Sequence, residues 1–266
     1  MFSGMKIPAF LFLFLFLLLT TSAPAQSPPA PALPGKWKLV PEFTDEFDAP
    51  KLDPAKWQPR NPEWSGRPPG CYQEQNVVIK EGKLHLLLKA ENVPDMPPGY
   101  KDYTCAIVRS LKRIRYGYFE IRSRAGASAG TSAFWFYHQL PERWVEIDVF
   151  ELSPRHAQYG RTLFTNAPVI RYPGQTGELA HKQEFTLKED PSTGFHTWGL
   201  LWEADLLTWY LDGKPMRSLA NTHWKTPLRL ILDTETQPEW LGLPDPATRP
   251  ATFVIDYVRT WHPAAD

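Results

Sequence analysis

The 266-residue sequence predicts an all-β fold, an antiparallel sandwich or barrel wrapped around a cleft, and three observations carry that prediction. From Phe43 onward, short alternating runs follow one another, separated by turn signals. No convincing helical period extends beyond about two turns. One run, Trp144 to Leu152 (WVEIDVFEL), sets three carboxylates into six residues of an otherwise buried-strand pattern.

Residues 1–25 stand apart from that fold. Lys6 precedes an apolar run from Ile7 to Leu19, and Ala23-Pro24-Ala25 is a small-residue cleavage pattern, so this stretch reads as a secretory signal peptide. The run is too short to span a bilayer comfortably. Residues 26–36, rich in Pro and Ala, read as a short stiff linker. Residues 37–266 contain no second linker and no internal repeat, and are expected to form one β domain of an extracellular or periplasmic protein.

Within it, Phe43 to Phe47 alternates, and Val77 to Ile79 leads through Glu81-Gly82 into Lys83 to Lys89 as a hairpin. Ala106 to Ser110 and Tyr116 to Arg124 read as strands. After the small-residue loop Ala125 to Gly130 come Ala133 to His138, the acidic run, and Gln158 to Phe164, expected to face the acids. His196 to Trp202 turns back as Leu206 to Leu211, and Asp212-Gly213 is a hairpin turn of good specificity. Leu228 to Leu232 and Thr252 to Trp261 complete the set.

Twenty-nine basic and 29 acidic residues balance, which argues against a nucleic-acid or anionic-membrane partner. Aromatic residues make up 14% of the chain, which suits either carbohydrate contact or an aromatic core. Cys71 and Cys105 are the two cysteines; in an oxidising destination a disulfide is the natural expectation, the alternative being two buried thiols.

Alternation puts Glu146 and Asp148 on one face of the acidic run and Val145, Ile147 and Val149 on the other. In a regular strand Glu151 would point into the core, where an unpaired carboxylate costs on the order of several kcal/mol. A β-bulge near Val149-Phe150 would return it to the face of the other two. Such a row suits glycoside hydrolysis, in which one carboxylate attacks the anomeric carbon and a second, kept protonated, gives its proton to the leaving oxygen. Trp135, Tyr137 and Trp144 crowd the approach as sugar-stacking candidates.

These residues resemble glycoside hydrolase family 16. Glu146-Ile147-Asp148-Val149-Phe150-Glu151 matches its ExDxxE signature in the bulged version, and the resemblance runs from Phe43-Thr44-Asp45-Glu46-Phe47 through Tyr116-Gly117-Tyr118-Phe119-Glu120 and Phe195-His196-Thr197-Trp198-Gly199 to Asp256-Tyr257-Val258-Arg259. It implies a concanavalin-like jelly-roll β-sandwich of two curved antiparallel sheets with the cleft on the concave face. It also implies retaining chemistry, with Glu146 as nucleophile, Asp148 as assisting acid and Glu151 as acid/base.

The same resemblance implies a disulfide between Cys71 and Cys105, a sugar-binding Arg109 and a ring-stacking Trp144. It further implies a structural calcium held by the Glu46 and Gly82 carbonyl oxygens and the Asp256 carboxylate, with no cofactor needed for the chemistry. Ser132 to Tyr137 and Leu230 to Trp240 look like the algal galactan enzymes, so the expected substrate is agar, porphyran or carrageenan. A β-1,3-glucan is the alternative. Arg143, Arg155, Arg161 and Arg171 flank the catalytic region and suit sulfate esters. The expected protein is a monomer that meets a polysaccharide, with no nucleic acid and no membrane after leader removal. A lectin-like binder on the same sandwich and a transglycosylase are the competing readings.

Overall fold

A computed structural model describes residues 1, 29, 31–247 and 250–264. The signal-peptide reading lies outside the described residues except for Met1. Two eight-stranded antiparallel sheets pack face to face, as expected of a jelly-roll sandwich. One runs Lys214–Ala220, Leu206–Leu211, His196–Trp202, Gly117–Arg124, Ala251–Pro263, Lys83–Leu88, Val77–Lys80, with Trp37–Leu39 added beside Ala251–Pro263. The other runs Gln183–Thr186, Thr162–Asn166, Arg143–Leu152, Thr131–Leu140, Arg229–Glu235, Ile107–Ser110, Trp57–Gln58, with Val169–Arg171 against Arg143–Leu152.

The sheets form because alternate residues are apolar and meet in one core. Phe119 and Ile121 from the first sheet meet Phe134, Phe136, Val145 and Ile147 from the second, all fully buried, and the Phe119 and Phe136 rings lie 4.9 Å apart. Burying each such side chain contributes about 1.5–3 kcal/mol. Both hairpin turns read from the sequence are present, with positive φ at Glu81 (54°) and Gly82 (64°) and at Asp212 (49°) and Gly213 (74°). That is the conformation a two-residue type I′ turn demands.

Two expected strands differ. Phe43 to Phe47 is a 3₁₀ turn, Pro41–Phe43, followed by a bridge from Asp45 to Val258. Pro41 fixes the turn, and the Asp45 carboxylate accepts from the Phe47 N–H (2.9 Å) and the Trp57 indole (2.8 Å), which bends the chain out of a ladder. Gln158 to Phe164 begins pairing only at Thr162. Upstream, His156 Nδ1 accepts the N–H groups of Gln158 (3.2 Å) and Tyr159 (3.0 Å) and winds the segment into a turn.

The expected disulfide is corrected. Cys71 and Cys105 are both buried free thiols. They lie on the parallel pair Gly70–Tyr72 and Tyr103–Cys105, in which Cys71 faces Thr104 and Tyr72 faces Cys105. One residue out of register, the two side chains leave opposite faces of the ribbon, and a bridge needs Cβ atoms about 4 Å apart. Burial pushes both thiols up, Cys105 well above its ordinary value.

Candidate active site

The acidic strand Arg143–Leu152 carries one residue more than its neighbours. Glu146 faces Tyr137, Asp148 faces Trp135 and Glu151 faces Ala133, with the register shifting between Asp148 and Phe150. On the other side Asp148 faces Asn166 and Glu151 faces Phe164, so three steps along the acidic strand match two on its partner. Val149 is the extra residue, and the bulge returns Glu151 to the face of Glu146 and Asp148. Phe150, fully buried 4.6 Å from the Trp198 ring and 6.0 Å from Phe253, pins the bulge to the core. All three carboxyls line one cleft of about 750 Å³.

Burial raises all three, and hydrogen bonding tells the two glutamates apart. Trp144 donates its indole N–H to Glu146 Oε1 at 2.8 Å. Burial pushes Glu146 up to about 7, while the Trp144 hydrogen bond holds it down and the Glu235 charge pushes it further up. Glu151 is also pushed up to about 7, by burial and then by the charges of Glu235 and Glu146. Asp148, buried between them, rises well above its usual range through burial and the two neighbouring glutamates. Clustered carboxyls cannot all ionise cheaply. The indole favours Glu146 as the anion, and no donor reaches the Glu151 carboxyl among the described residues, which favours Glu151 as the acid.

Across the Thr131–Leu140 strand stands a second acidic row. Asp233 faces Ala133, on the rung of Glu151, and Glu235 faces Thr131. The Tyr72 hydroxyl donates to Asp233 (2.7 Å) and lies 3.2 Å from Glu235, and Trp135 Nε1 donates to Asp233 (3.3 Å). Arg67 Nε (2.6 Å) and Gln237 Nε2 (2.9 Å) donate to Glu235. The alternation of Leu230-Ile231-Leu232-Asp233-Thr234-Glu235 carries the same signal as the first row, yet sequence reasoning singled out neither acid.

Trp135 and Tyr137 line the cleft with ring centroids 5.1 Å apart, and Trp144 lines it beside Glu146, as expected. Trp64, edge-on to Trp135 at 6.4 Å, and Trp240, edge-on to Phe164 at 4.7 Å, add two aromatic walls from loops without periodicity. Arg109 is placed differently from its expected sugar-facing role. It is buried outside the cleft lining and holds Glu63 (2.6 Å), Asn61 (3.1 Å) and Gln58 (3.0 Å), so it supports the wall from behind.

None of the four flanking arginines lines the main cleft, and each has a partner in the protein, Arg171 in the Pro141 (2.7 Å) and Leu140 (3.3 Å) carbonyls. Arg155 pairs with Asp190 (2.6 Å), Arg161 donates to the Lys188 carbonyl (3.3 Å), and Arg143 lies 4.9 Å over the Tyr172 ring. Only Arg171 lines a cavity next to the cleft.

The one side-chain carboxylate of the expected calcium set already has cationic partners. Asp256 Oδ2 accepts from Arg122 at 2.6 Å and Oδ1 lies 3.3 Å from Lys83. A divalent ion there would sit against two cations already sharing its one carboxylate. Gly82 remains a turn residue. Among the described residues no group of three or more His, Cys, Asp or Glu converges as a metal site.

Comparison with known proteins agrees with this geometry. Beta-porphyranase E of Zobellia galactanivorans is 29% identical over 250 residues, covering 85% of this chain and 88% of the relative. Kappa-carrageenase of Pseudoalteromonas carrageenovora is 28% identical over 288 residues, covering 90% and 68%, and its solved structure superposes with a TM-score of 0.73. The laminarinase catalytic domain of Thermotoga maritima superposes with a TM-score of 0.72 at 26% identity, covering 86% of this chain and 99% of that one. The family model described as beta-porphyranase A-D, GH16 domain, matches residues 37–263, and with the bulged catalytic row in place the chain belongs to that glycoside hydrolase family.

Proposed function

We propose that this glycoside hydrolase is an exported, retaining endo-hydrolase that cleaves a β-linked algal galactan, agar, porphyran or carrageenan, as a monomer. The observation that carries the reading is the bulged row, which sets Glu146 and Glu151 on one face of one strand, either side of buried Asp148. The porphyranase and carrageenase relatives support the galactan. The similarity to a laminarinase makes a β-1,3-glucan the second reading.

The chemistry follows from the electrostatic asymmetry. Glu146, ionised and oriented by the Trp144 N–H, forms a bond to the anomeric carbon as the glycosidic C–O bond breaks. Glu151 passes its proton to the departing oxygen. In the second step Glu151, now a carboxylate, takes a proton from water, whose oxygen displaces Glu146 and restores the original configuration. Asp148 keeps the two glutamates apart and in register.

Reducing-end release from agarose, porphyran, carrageenans and laminarin tests the substrate, and proton NMR of the first-formed anomer tests the stereochemistry. Release from a galactan as the β-anomer is the expected result. Release from laminarin alone establishes the glucanase instead, and binding without release establishes the lectin-like alternative.

A further inference from the structure

The sheet opposite the catalytic one carries a bulge of its own. Strands Leu206–Leu211 and Lys214–Ala220 pair Leu211 with Lys214 and Tyr210 with Pro215, but Trp209 with Arg217, so Met216 is an extra residue. Without it, alternation from the Asp212-Gly213 turn would set Met216 against Trp209 and send Arg217 outward. The extra residue turns Arg217 into the sandwich, where it is 8% exposed.

The buried guanidinium reaches across to the catalytic sheet. It lies 4.4 Å over the Trp209 ring, a cation–π stack. Nη1 donates to Thr165 Oγ1 at 2.8 Å, on the strand next to the acidic one, and Nη2 donates to the His181 carbonyl. Trp209 in turn donates its indole N–H to the main-chain carbonyl of Asp148 at 3.0 Å. Asp148 is the residue at which the register of the acidic strand begins to slip. Arg217, Trp209 and the start of the catalytic bulge therefore form one buried chain of contacts from sheet to sheet.

No carboxylate forms an ion pair with Arg217 among the described residues, and the charge that supports it against burial is that of Asp148. Burying a cation without a paired carboxylate costs stability, which points to a role beyond packing. Asp148 meets Glu151 and Glu146 on its own strand and Asp233 from Arg229–Glu235, all pushing it up, and Arg217 from the opposite sheet, which holds it down. His181 is the other titratable group at the guanidinium, and burial and Arg217 hold its ring down. Burial brings Arg217 down to about 10, so it remains charged near neutral pH.

We propose that Arg217 is a positioning residue of the catalytic row: through Trp209 it clamps the bulge at Asp148, and it sets a fixed positive charge behind the middle carboxyl. The inference rests on Glu146 and Glu151 being the reacting carboxyls. During the reaction the negative charge passes from Glu146, when it bonds to carbon, to Glu151, when it gives up its proton. A cation behind the residue between them favours the ionised row at either stage, whereas one at either end would favour a single stage. Arg217 lies outside the cleft lining, so it acts without touching substrate.

Arg217→Met removes the charge and keeps the length, and Arg217→Lys keeps the charge. Rates are measured on agarose, porphyran, carrageenan or laminarin, whichever the unaltered protein cleaves. Arg217→Met should lower kcat about tenfold or more while KM changes less than about twofold, as expected of misplaced catalytic groups with binding intact. Losing a cation raises every step of a coupled carboxyl row, so both limbs of kcat/KM should move to higher pH, and Arg217→Lys should return them. The movement should persist in His181→Gln protein; its disappearance there assigns it to His181 and overturns the proposal. Trp209→Phe keeps the ring and deletes the N–H to Asp148, so its kcat should fall with both limbs unmoved, and it decides the clamp if Arg217→Met does not fold. The melting temperature gives a readout without substrate: its decline with pH should extend to more alkaline pH in Arg217→Met, because carboxyls raised further in the folded protein lose their protons later. Unmoved limbs and an unmoved melting profile in Arg217→Met, or an unchanged kcat in Trp209→Phe, overturn the proposal. Turnover retained by Glu146→Gln would instead remove the catalytic reading, and the melting profile would still decide whether Arg217 acts on the row.

Discussion

Two strands present acids to the same cleft and treat them oppositely. On Arg143–Leu152, Glu146 receives one hydrogen bond, from Trp144, and Glu151 receives none among the described residues. On Arg229–Glu235, Asp233 and Glu235 are bound up by Tyr72, Trp135, Arg67 and Gln237. A carboxyl with spare lone pairs can bond to carbon or move a proton. One whose oxygens are satisfied can only shape the field around it. The bulge at Val149 belongs to the first strand alone, and it is what converts an acid destined for the core into a second reactive group on the cleft floor.

Removing the free carboxyls should therefore produce the largest effects. Glu146→Ala and Glu151→Ala should each lower hydrolysis by roughly three powers of ten or more, within the range spanned by lost nucleophilic and acid catalysis. Azide should rescue them differently. With Glu146→Ala it attacks in place of the nucleophile and inverts configuration; with Glu151→Ala it enters in the second step and gives a retained product. Asp148→Asn should cost about a hundredfold, since it bonds to no substrate atom. Glu235→Gln or Asp233→Asn falling as far as Glu146→Ala would erase the distinction between the two strands.

Much of this was legible from alternation. The bulge, the shared face of Glu146, Asp148 and Glu151, both type I′ turns and the aromatic approach of Trp135, Tyr137 and Trp144 follow from local pattern, because local pattern decides which face of a strand a side chain takes. What alternation does not reveal is registry between distant segments. Cys71 and Cys105 sit on adjacent strands, but a one-residue offset sends them to opposite faces. Arg109 alternates onto the cleft side, yet Asn61 and Glu63, from a loop some 50 residues earlier in sequence, cover it. Asp256 reads as an oxygen ligand from its residue type, and only the fold brings Lys83 and Arg122 against it. Asp233 and Glu235 obey the same rule, but two acids on one strand form no motif that assigns them a chemistry.

A middle-sized effect is expected from Glu235→Gln. Its charge raises Glu151, so neutralising it should let Glu151 lose its proton at lower pH. Arg67, released from its 2.6 Å partner, would add to that by stabilising the Glu151 anion. The general acid is then spent sooner, and the alkaline limb of kcat/KM should move to lower pH; the acid limb, set by Glu146, should follow to a smaller extent because the Glu235 charge raises that carboxyl as well. A profile that keeps its alkaline limb while losing height would assign Glu235 to substrate contact instead.

The smallest effect concerns stability, and its sign follows from the raised carboxyls of the first strand. Glu146 and Glu151 ionise in the folded protein at about 7, against an ordinary 4.5, so the fold binds more protons than the unfolded chain between those values. Their contribution is complete below about pH 4.5 and is lost as pH rises through about 7. Glu63 and Asp190, held low, act in the opposite sense only at more acid pH. The melting temperature should accordingly decline from pH 5 to pH 7.5. Glu151→Gln, which cannot ionise, should flatten that decline and raise the melting temperature at pH 7.5 by a few degrees, on the scale of about 1 kcal/mol for a domain of this size. Asp233, pushed well above its ordinary value by burial and the Glu235 charge in spite of the Tyr72 and Trp135 hydrogen bonds, acts in the same direction, so Asp233→Asn should flatten the decline as well. A wild-type melting temperature flat across that window would mean that the free carboxyls are solvated in the cleft, and that the contrast between the two strands lies in their hydrogen bonds alone.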